Sequence, residues 1–433
     1  MRQMTAVACG ALAVMVSVSP RGPGAFVPGH AQQAQTQTTK PATPTAIPER
    51  VARIDRFLQS YIDNDRVGGI VALVWRDGRP VYSKALGWRD KEAKSPVRPD
   101  TIFRIASQTK AITSAAVMML VEEGKIGLGD QVSKFIPAFG KTTVKASADA
   151  PIVPAKRHIL VKDLLTHTSG ISYGTDGHIA TMYAEKGLGT ALGSSFYTAA
   201  QTEPICATME KLATLPFVAQ PGDAYVYGWS IDVLGCIVER ASGMPLDQFI
   251  RTRITDPIGM ADTHFYLPTT KRDRLAVVYG SGPDGRIFRA PEGPTGQGAY
   301  VDGPRVSFAG GAGLLSTAGD YARFLEMIRR GGVANGQRLL GSRAVALMTT
   351  NQIGTIRGGG LGYGYGFETT DRYGAKDMDS VGAYGWGGAY GSIYRVDPAS
   401  RMVIVLMFNM MPNNTDLRDR FPTVVYSAFA DVP

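Results

Sequence analysis

The chain has 433 residues, about three times the length of a typical domain, so it has room for two or three domains or for one large enzyme. Its 44% apolar and 19% charged content excludes a wholly disordered or coiled-coil chain. Lys and Arg outnumber Asp and Glu by 46 to 37, but these charges are dispersed without a basic run, so we expect no nucleic-acid partner.

The first 31 residues have the features of a secretory signal. Arg2 precedes an apolar stretch over residues 4–18, and Gly29 and Ala31 are small residues spaced as at a cleavage site. The stretch is shorter than the roughly 18 residues of a membrane span, and no later stretch reaches that length. We therefore predict a signal peptide over residues 1–31, a secreted or periplasmic protein and no stable span after processing, with a retained anchor or a lipid on Cys9 as alternatives.

Residues 32–47 are polar and Pro-containing and predict a disordered linker, after which the pattern becomes globular. Apolar residues recur at helical spacing from Val51 to Ile62, and two β-branched segments, 70–75 and 80–86, flank the turn pair Asp77-Gly78. Further helices are predicted over residues 111–123, 161–165, 209–214, 231–241, 246–254, 318–330 and 417–430, and strands over 392–396 and 402–408. This order predicts an α+β body built from both chain ends, about 48–105 and 305–433, around a mostly helical region, about 106–304.

Ser107 and Lys110 form a Ser-x-x-Lys pair where a loop passes into the helix predicted to begin near residue 111. Residues three apart on a helix share a face, so the Lys110 amine can reach the Ser107 hydroxyl and take its proton. The Ser107 N–H is also one of the unpaired donors of the first helical turn, suited to hold an oxyanion. Alone the pair is a weak signal, because about one such pair is expected by chance, and a helix start with a surface lysine is then the favoured interpretation.

The cysteines and histidines leave no metal site at a recognisable spacing. After removal of the signal, Cys206 and Cys236 remain, and they either form one disulfide or lie apart as buried thiols. We favour separate thiols and expect no metal and no cofactor.

A second serine, Ser172, lies in a G-x-S-x-G pattern, which in α/β-hydrolases carries the nucleophile. That role requires a preceding strand and a following helix, whereas a helix and a turn precede Ser172 and a loop follows it. Ser172 is therefore rejected as the nucleophile. His167, in the preceding turn, is interpreted as a structural hydrogen-bonding residue.

Several blocks together resemble one family. In chain order they are FRIASQTKAITSAAVMMLVEEGKIGLGD, VKDLLTHTSGI, PGDAYVYGWSIDVLG, GMADTHF, GGAGLLSTAGDYARFLEMI and YGWGGAYGSIYRVDP. Their order and spacing over about residues 48–430 resemble the serine β-lactamase-like hydrolases, which include class C β-lactamases, D-Ala-D-Ala carboxypeptidases and family VIII carboxylesterases. The resemblance implies a β-lactamase/transpeptidase-like fold, an antiparallel sheet flanked by N- and C-terminal helices, with Ser107 and Lys110 catalytic.

The second catalytic block of that family is normally Tyr-x-Asn. Tyr227-Gly228-Trp229 stands there, so the resemblance assigns Tyr227 as the residue that relays the proton, with Tyr225 as the alternative. Trp229 replaces the usual Asn, which puts lactamase and peptidase activity in doubt. Asp232 and the three residues after it are similar to the esterase branch.

The third block is normally Lys-Thr-Gly, but Trp386-Gly387-Gly388 stands there. An indole cannot pair with a substrate carboxylate, so the change favours neutral esters. By analogy the Ala389 N–H completes the oxyanion hole with the Ser107 N–H. Further substrate-binding candidates lie in Gly-rich segments and beside the second block, with local packing as the alternative for the tyrosines: Tyr173, Trp229, Tyr384 and Tyr390.

These residues predict a carboxylesterase-like serine hydrolase that cleaves small-molecule esters through an acyl-serine intermediate, with a Ser-Lys-Tyr group and no cofactor. The first alternative is a β-lactamase, a D-Ala-D-Ala carboxypeptidase or a linear amide hydrolase. The second is a binding protein that keeps the scaffold without turnover.

Overall fold

The computed structural model describes residues 48–188, 198–294 and 296–429, so the predicted signal peptide and linker lie outside the described residues. The α-helices of these ranges are α1 Pro48–Asp63, α2 Thr109–Glu122, α3 Val161–Leu165, α4 Gly177–Glu185, α5 Ile205–Leu212, α6 Ser230–Ser242, α7 Leu246–Ile250, α8 Asp256–Ile258, α9 Ala318–Arg329, α10 Ser342–Thr349 and α11 Leu417–Phe429. Short 3-10 turns include Ala106–Gln108, and a π-turn covers Arg251–Thr255.

The strands are β1 Gly69–Arg76, β2 Arg79–Asp90, β3 Ser95–Pro96, β4 Phe103–Arg104, β5 Thr143–Val144, β6 Val153–Pro154, β7 Pro216–Phe217, β8 Tyr279–Ser281, β9 Ile287–Arg289, β10 Leu315–Ser316, β11 Val333–Ala334, β12 Gln337–Arg338, β13 Leu361–Tyr363, β14 Glu368–Thr370, β15 Tyr384–Gly387, β16 Gly391–Asp397 and β17 Met402–Asn409. Eight of them form an antiparallel sheet in the order β13-β14-β15-β16-β17-β1-β2-β3. The N-terminal strand β1 therefore pairs with the C-terminal strand β17 in the middle of the sheet.

Alternate residues of β1 reach two separate cores, because successive side chains of a strand point to opposite faces. Ile70 and Val74 belong to the core beneath α1 and α11, which also pack against each other. Val71 and Leu73 face the larger core, which contains α2, α6 and α9. The sheet is thus covered on both faces, with α1 and α11 on one face and α9 on the other, where α2 and α6 belong to the same core as α9.

The α+β prediction is confirmed, and the predicted elements lie within a few residues of the observed ones. Asp77 and Gly78 both adopt positive φ, 53° and 76°, which is the backbone of a tight type I′ turn between β1 and β2. The sequence did not predict α4, α8, α10 or the strands β3 to β14. Among the helices of the described ranges, none combines the length and apolar character needed to cross a bilayer.

The prediction of separate thiols was wrong. Cys206 on α5 and Cys236 on α6 form a disulfide with a Cα–Cα distance of 5.0 Å. The two helices pack side by side, so residues 30 positions apart in sequence become neighbours. Sequence spacing alone did not contain that helix pairing.

Candidate active site

Ser107 lies on the 3-10 turn Ala106–Gln108, between strand β4 and helix α2. Its neighbour Ala106 has a φ of 43°, in the left-handed region that non-glycine residues rarely adopt. Such strain persists only where the surrounding structure enforces it, and it is frequent at functional sites. The turn places Ser107, which is half-buried, at the surface of a cleft.

Lys110 lies in the first turn of α2 and is 1% exposed. Its Nζ is 3.3 Å from Ser107 Oγ, 2.9 Å from Tyr173 Oη and 2.7 Å from the Gly311 carbonyl oxygen. The predicted Ser-Lys contact is therefore present, and Lys110 is neither on the surface nor free to rotate away. An amine held at this distance from the serine hydroxyl can accept its proton.

Tyr227 faces the same lysine from the other side. Lys110 Nζ lies 4.7 Å from the centre of the Tyr227 ring. The Tyr227 hydroxyl accepts a hydrogen bond from Trp386 Nε1 at 3.2 Å, which joins the second and third sequence blocks. The alternative Tyr225 instead packs against Tyr363 with ring centres 5.3 Å apart, away from the cleft lining.

A cleft of about 310 Å³ contains the predicted catalytic and oxyanion residues. Its lining is Ser107, Tyr227, Glu368, Lys376, Trp386, Gly387, Gly388, Ala389, Ile393, Arg395, Arg418 and Asp419. The structure thus brings together Ser107, Tyr227 and the Trp-Gly-Gly segment, although Ser107 and Gly388 are 281 residues apart in sequence.

Gly388, directly after strand β15, explains how this segment comes so close to the turn that carries Ser107. A Cβ at this position would lie 2.6 Å from the Ile105 carbonyl oxygen and 2.5 Å from Ser392 Oγ. Both distances are shorter than real Cβ contacts, so only glycine fits between the turn that carries Ser107 and the neighbouring strand. The predicted oxyanion donor Ala389 follows directly.

The sequence did not identify the charged side chains of the cleft. Glu368 pairs with Arg357 at 2.8 Å, with Lys376 at 3.3 Å and with Arg395 at 3.5 Å. Arg395 also contacts Asp379 at 3.2 Å. Burial would raise the pKa of Glu368, but these three cations hold it below its usual value, so Glu368 is ionised and partly neutralises them.

Three of the predicted substrate-binding residues do not line the cleft. Tyr384 and Tyr390 are 2% and 1% exposed, and Tyr384 packs against Phe367 with ring centres 5.1 Å apart. Trp229 is also buried and packs edge-on against Tyr173. Their predicted substrate contacts are therefore corrected to core packing. Tyr173, a fourth predicted substrate-binding residue, does not line the cleft either, and its hydroxyl lies 2.9 Å from Lys110 Nζ.

Asp232, in the first turn of α6, is connected to Lys110 through one peptide group. The Gly311 N–H donates to Asp232 Oδ1 at 3.0 Å, and the Gly311 carbonyl accepts from Lys110. Burial raises the pKa of Asp232 to about 6, while the charge of Lys110 acts in the opposite direction.

His167 and Ser172 are both buried close to this site. Neither ring nitrogen of His167 has a hydrogen-bond partner in the described part of the chain, so its predicted hydrogen-bonding role was wrong. Its ring packs against Tyr227 with centres 4.7 Å apart, and burial holds its pKa well below 6.5. Ser172 Oγ donates to Asp176 and accepts the Gly174 N–H, which is the pattern of a structural turn.

The described ranges contain no cluster of three or more His, Cys, Asp or Glu side chains arranged to hold a metal ion.

Known proteins share this architecture. The family model described as Beta-lactamase matches residues 54–428. Protein Rv1367c of Mycobacterium tuberculosis (strain ATCC 25618 / H37Rv) is 35% identical over 82% of this chain and 89% of its own length. Esterase EstB of Burkholderia gladioli is 32% identical over 83% of this chain and 90% of its own length. The solved structure of EstCE1, described as a hydrolase with promiscuous acyltransferase activity, matches with a TM-score of 0.72 and 26% identity over 88% of this chain and 99% of that one.

Proposed function

The chain belongs to the Beta-lactamase family, and we propose that within it the protein is a serine hydrolase that cleaves carboxylic esters of small molecules. The observation that carries this proposal is the Lys110 amine held 3.3 Å from the Ser107 hydroxyl at the edge of an open cleft. The similarity to Esterase EstB supports the ester as the bond that is cleaved.

The reaction begins when Lys110 Nζ takes the proton of Ser107 Oγ and the oxygen attacks the ester carbonyl. The tetrahedral oxyanion is held by the backbone N–H groups of Ser107 and Ala389. When the intermediate collapses, the C–O bond to the alcohol breaks and the alkoxide takes a proton, relayed from Lys110 by the Tyr227 hydroxyl. The serine is then acylated and the alcohol is free to leave.

Water completes the cycle. It attacks the acyl carbonyl while Lys110 and Tyr227 accept its proton, and the collapse of the second tetrahedral intermediate returns the proton to Ser107 Oγ. The products are the carboxylic acid and the regenerated serine.

Trp386 supports an ester over a lactam or a peptide. Its indole occupies the place where the resemblance puts the lysine that engages a substrate carboxylate, and its N–H is directed to Tyr227. Of the three cations that line the cleft, Lys376 and Arg395 share Glu368 as a counter-charge, and Arg418 pairs with Asp419. A neutral acyl group therefore meets an aromatic wall beside the nucleophile.

The disulfide between Cys206 and Cys236 supports a location in an oxidising compartment. Together with the N-terminal signal features, it favours the secreted or periplasmic protein that the sequence predicts.

The experiment is a panel of substrates given to the purified protein: p-nitrophenyl acetate and butyrate, a cephalosporin, a D-Ala-D-Ala peptide and a linear amide. We expect rapid release of p-nitrophenol and its loss in Ser107→Ala. Faster turnover of the cephalosporin, the peptide or the amide would establish the alternative hydrolases instead, and no turnover of any substrate would favour the binding protein.

Ser172→Ala is the control, because Ser172 is the other candidate nucleophile of the sequence. It should retain esterase activity, and a fluorophosphonate probe should label the peptide that contains Ser107 in both the wild type and this variant. A label on any other peptide would refute the assigned nucleophile.

A further inference from the structure

Lys110 lacks a carboxylate within ion-pair distance in the described ranges, although it is almost fully buried. Its three polar neighbours are a serine hydroxyl, a tyrosine hydroxyl and a peptide carbonyl. When Nζ takes the proton of Ser107, a positive charge forms in surroundings that water does not reach. Such a charge needs a stabilising group nearby, because burial of an uncompensated charge is costly.

Asp232 supplies a negative charge through the Gly311 peptide. A carboxylate that accepts the N–H of a peptide polarises that peptide, and its carbonyl oxygen becomes a stronger acceptor. Lys110 Nζ donates a hydrogen bond to the Gly311 carbonyl oxygen at 2.7 Å, and the Gly311 N–H donates to Asp232 Oδ1 at 3.0 Å. The three groups form one hydrogen-bonded chain from carboxylate to amine.

Residue 311 is glycine for a steric reason. A Cβ there would lie 2.2 Å from Asp232 Oδ2, so any other residue would push the carboxylate away from the peptide. The close approach of helix α6 to the Gly310–Gly311 segment is therefore built for this contact.

We propose that Asp232 is a positioning residue that fixes Lys110 through the Gly311 peptide, and that its negative charge stabilises the ammonium formed when Lys110 takes the Ser107 proton. This inference rests on the proposed function, because it assigns Asp232 a role in the same proton transfer. Asp232 touches neither the substrate nor the reacting atoms.

The protonation of Asp232 should be visible in the pH dependence of kcat for ester hydrolysis. Lys110 faces it from α2 and acts on it electrostatically, while His167, close to Lys110, is kept neutral by burial. On α6 itself, Glu239 and Arg240 lie two turns further along the helix. Burial places the pKa of Asp232 at about 6, so its charge is lost within the pH range in which ester hydrolysis can be measured.

The test compares kcat and KM of the wild type and Asp232→Asn for p-nitrophenyl butyrate from pH 5 to 8.5. Asn keeps the shape and an acceptor for the Gly311 N–H but removes the charge. We expect a kcat about 10-fold lower in the variant at pH 7.5, narrowing to about twofold at pH 5, where the wild-type carboxyl is mostly protonated. KM should stay within about twofold throughout, because substrate binding does not involve this residue.

Glu239→Gln is the matched control. Glu239 lies on the same helix, burial also raises its pKa, and it accepts a backbone N–H from Leu246, but it is not connected to Lys110. Its kcat profile should follow that of the wild type.

A ratio of the wild-type kcat to the Asp232→Asn kcat that stays constant with pH would overturn the proposal. An acidic residue that merely stabilises the start of α6 would give that result. Equal rates at pH 7.5 would overturn it as well. If the variant fails to fold, the wild-type profile decides: a kcat that does not fall with a midpoint near pH 6 contradicts the role. Failure of the proposed function looks different, because ester turnover would then survive in Ser107→Ala whatever the pH profile.

Discussion

Replacing Asp232 by Asn should cost less folding stability at neutral pH than at acidic pH, although it removes a buried hydrogen-bonded carboxylate. Burial raises the pKa of Asp232 from 3.8 to about 6 in the folded protein. The folded state therefore binds the proton more tightly than the unfolded state, and the wild type loses stability as the pH rises through this interval. At about 1.4 kcal/mol for each pH unit, the full loss is about 3 kcal/mol. About 1.4 kcal/mol of it falls between pH 5 and pH 7.5.

The assay is urea unfolding of the wild type and Asp232→Asn at both pH values, with the free energy of unfolding taken from each transition. The stability of the variant relative to the wild type should be higher at pH 7.5 than at pH 5 by about 1.4 kcal/mol.

Asp262→Asn is the control for this measurement. Asp262 has a pKa lowered to about 2: burial opposes the shift, but Arg274 and Lys271 outweigh it. The contribution of Asp262 to folding stability is therefore lost only below pH 5. The difference in the free energy of unfolding between Asp262→Asn and the wild type should be equal at pH 5 and pH 7.5. If the stability difference between Asp232→Asn and the wild type is likewise the same at pH 5 and pH 7.5, the assignment of Asp232 as a buried carboxyl that takes up a proton near pH 6 is refuted.

Two further variants test contacts of the site and of the scaffold. Trp386→Phe keeps an aromatic ring beside Tyr227 but removes the N–H that donates to the Tyr227 hydroxyl at 3.2 Å. In steady-state kinetics kcat should fall about 5- to 10-fold with little change in KM. An unchanged kcat would exclude a role for this hydrogen bond. Cys206→Ser removes the disulfide to Cys236, which joins residues 30 positions apart and corresponds to about 3–4 kcal/mol of chain entropy. The melting temperature of the variant should fall to that of the reduced wild type. Equal melting temperatures of the variant and the oxidised wild type would contradict a stabilising disulfide.

Local patterns made much of the fold predictable. The Asp77-Gly78 pair identified the first hairpin, because its tight turn needs positive φ at both central residues and few residue types adopt positive φ. Helix α2 was predicted from continuous apolar character ending at Gly124, and the observed helix ends at Glu122. The Ser107–Lys110 contact was predictable for the same reason, since both residues lie within one turn of the chain.

What the sequence did not contain are contacts between distant segments. The hydroxyl of Tyr173 and the carbonyl of Gly311 reach Lys110 from 63 and 201 residues away, and a backbone carbonyl has no residue-type signature. Tyr384 and Tyr390 lie near the third block in sequence, but strand alternation and the turn after Gly388 direct them into the core. The nearest sequence signal for Asp232 was its place five residues after Tyr227, which does not reveal the Gly311 peptide between the carboxylate and the amine.

The pairing of β1 with β17 has a consequence for the way the chain is made. Val71 of β1 and Met407 of β17 are partners in the centre of the sheet. More than 300 further residues must therefore be synthesised before β1 can pair with β17. At about 5–20 residues per second, that interval lasts roughly 15–70 s. During this time one edge of the first hairpin is unpaired and its apolar faces are uncovered, which is the condition in which strands associate with other chains. Until β17 has been synthesised, the first hairpin is therefore open to association with other chains.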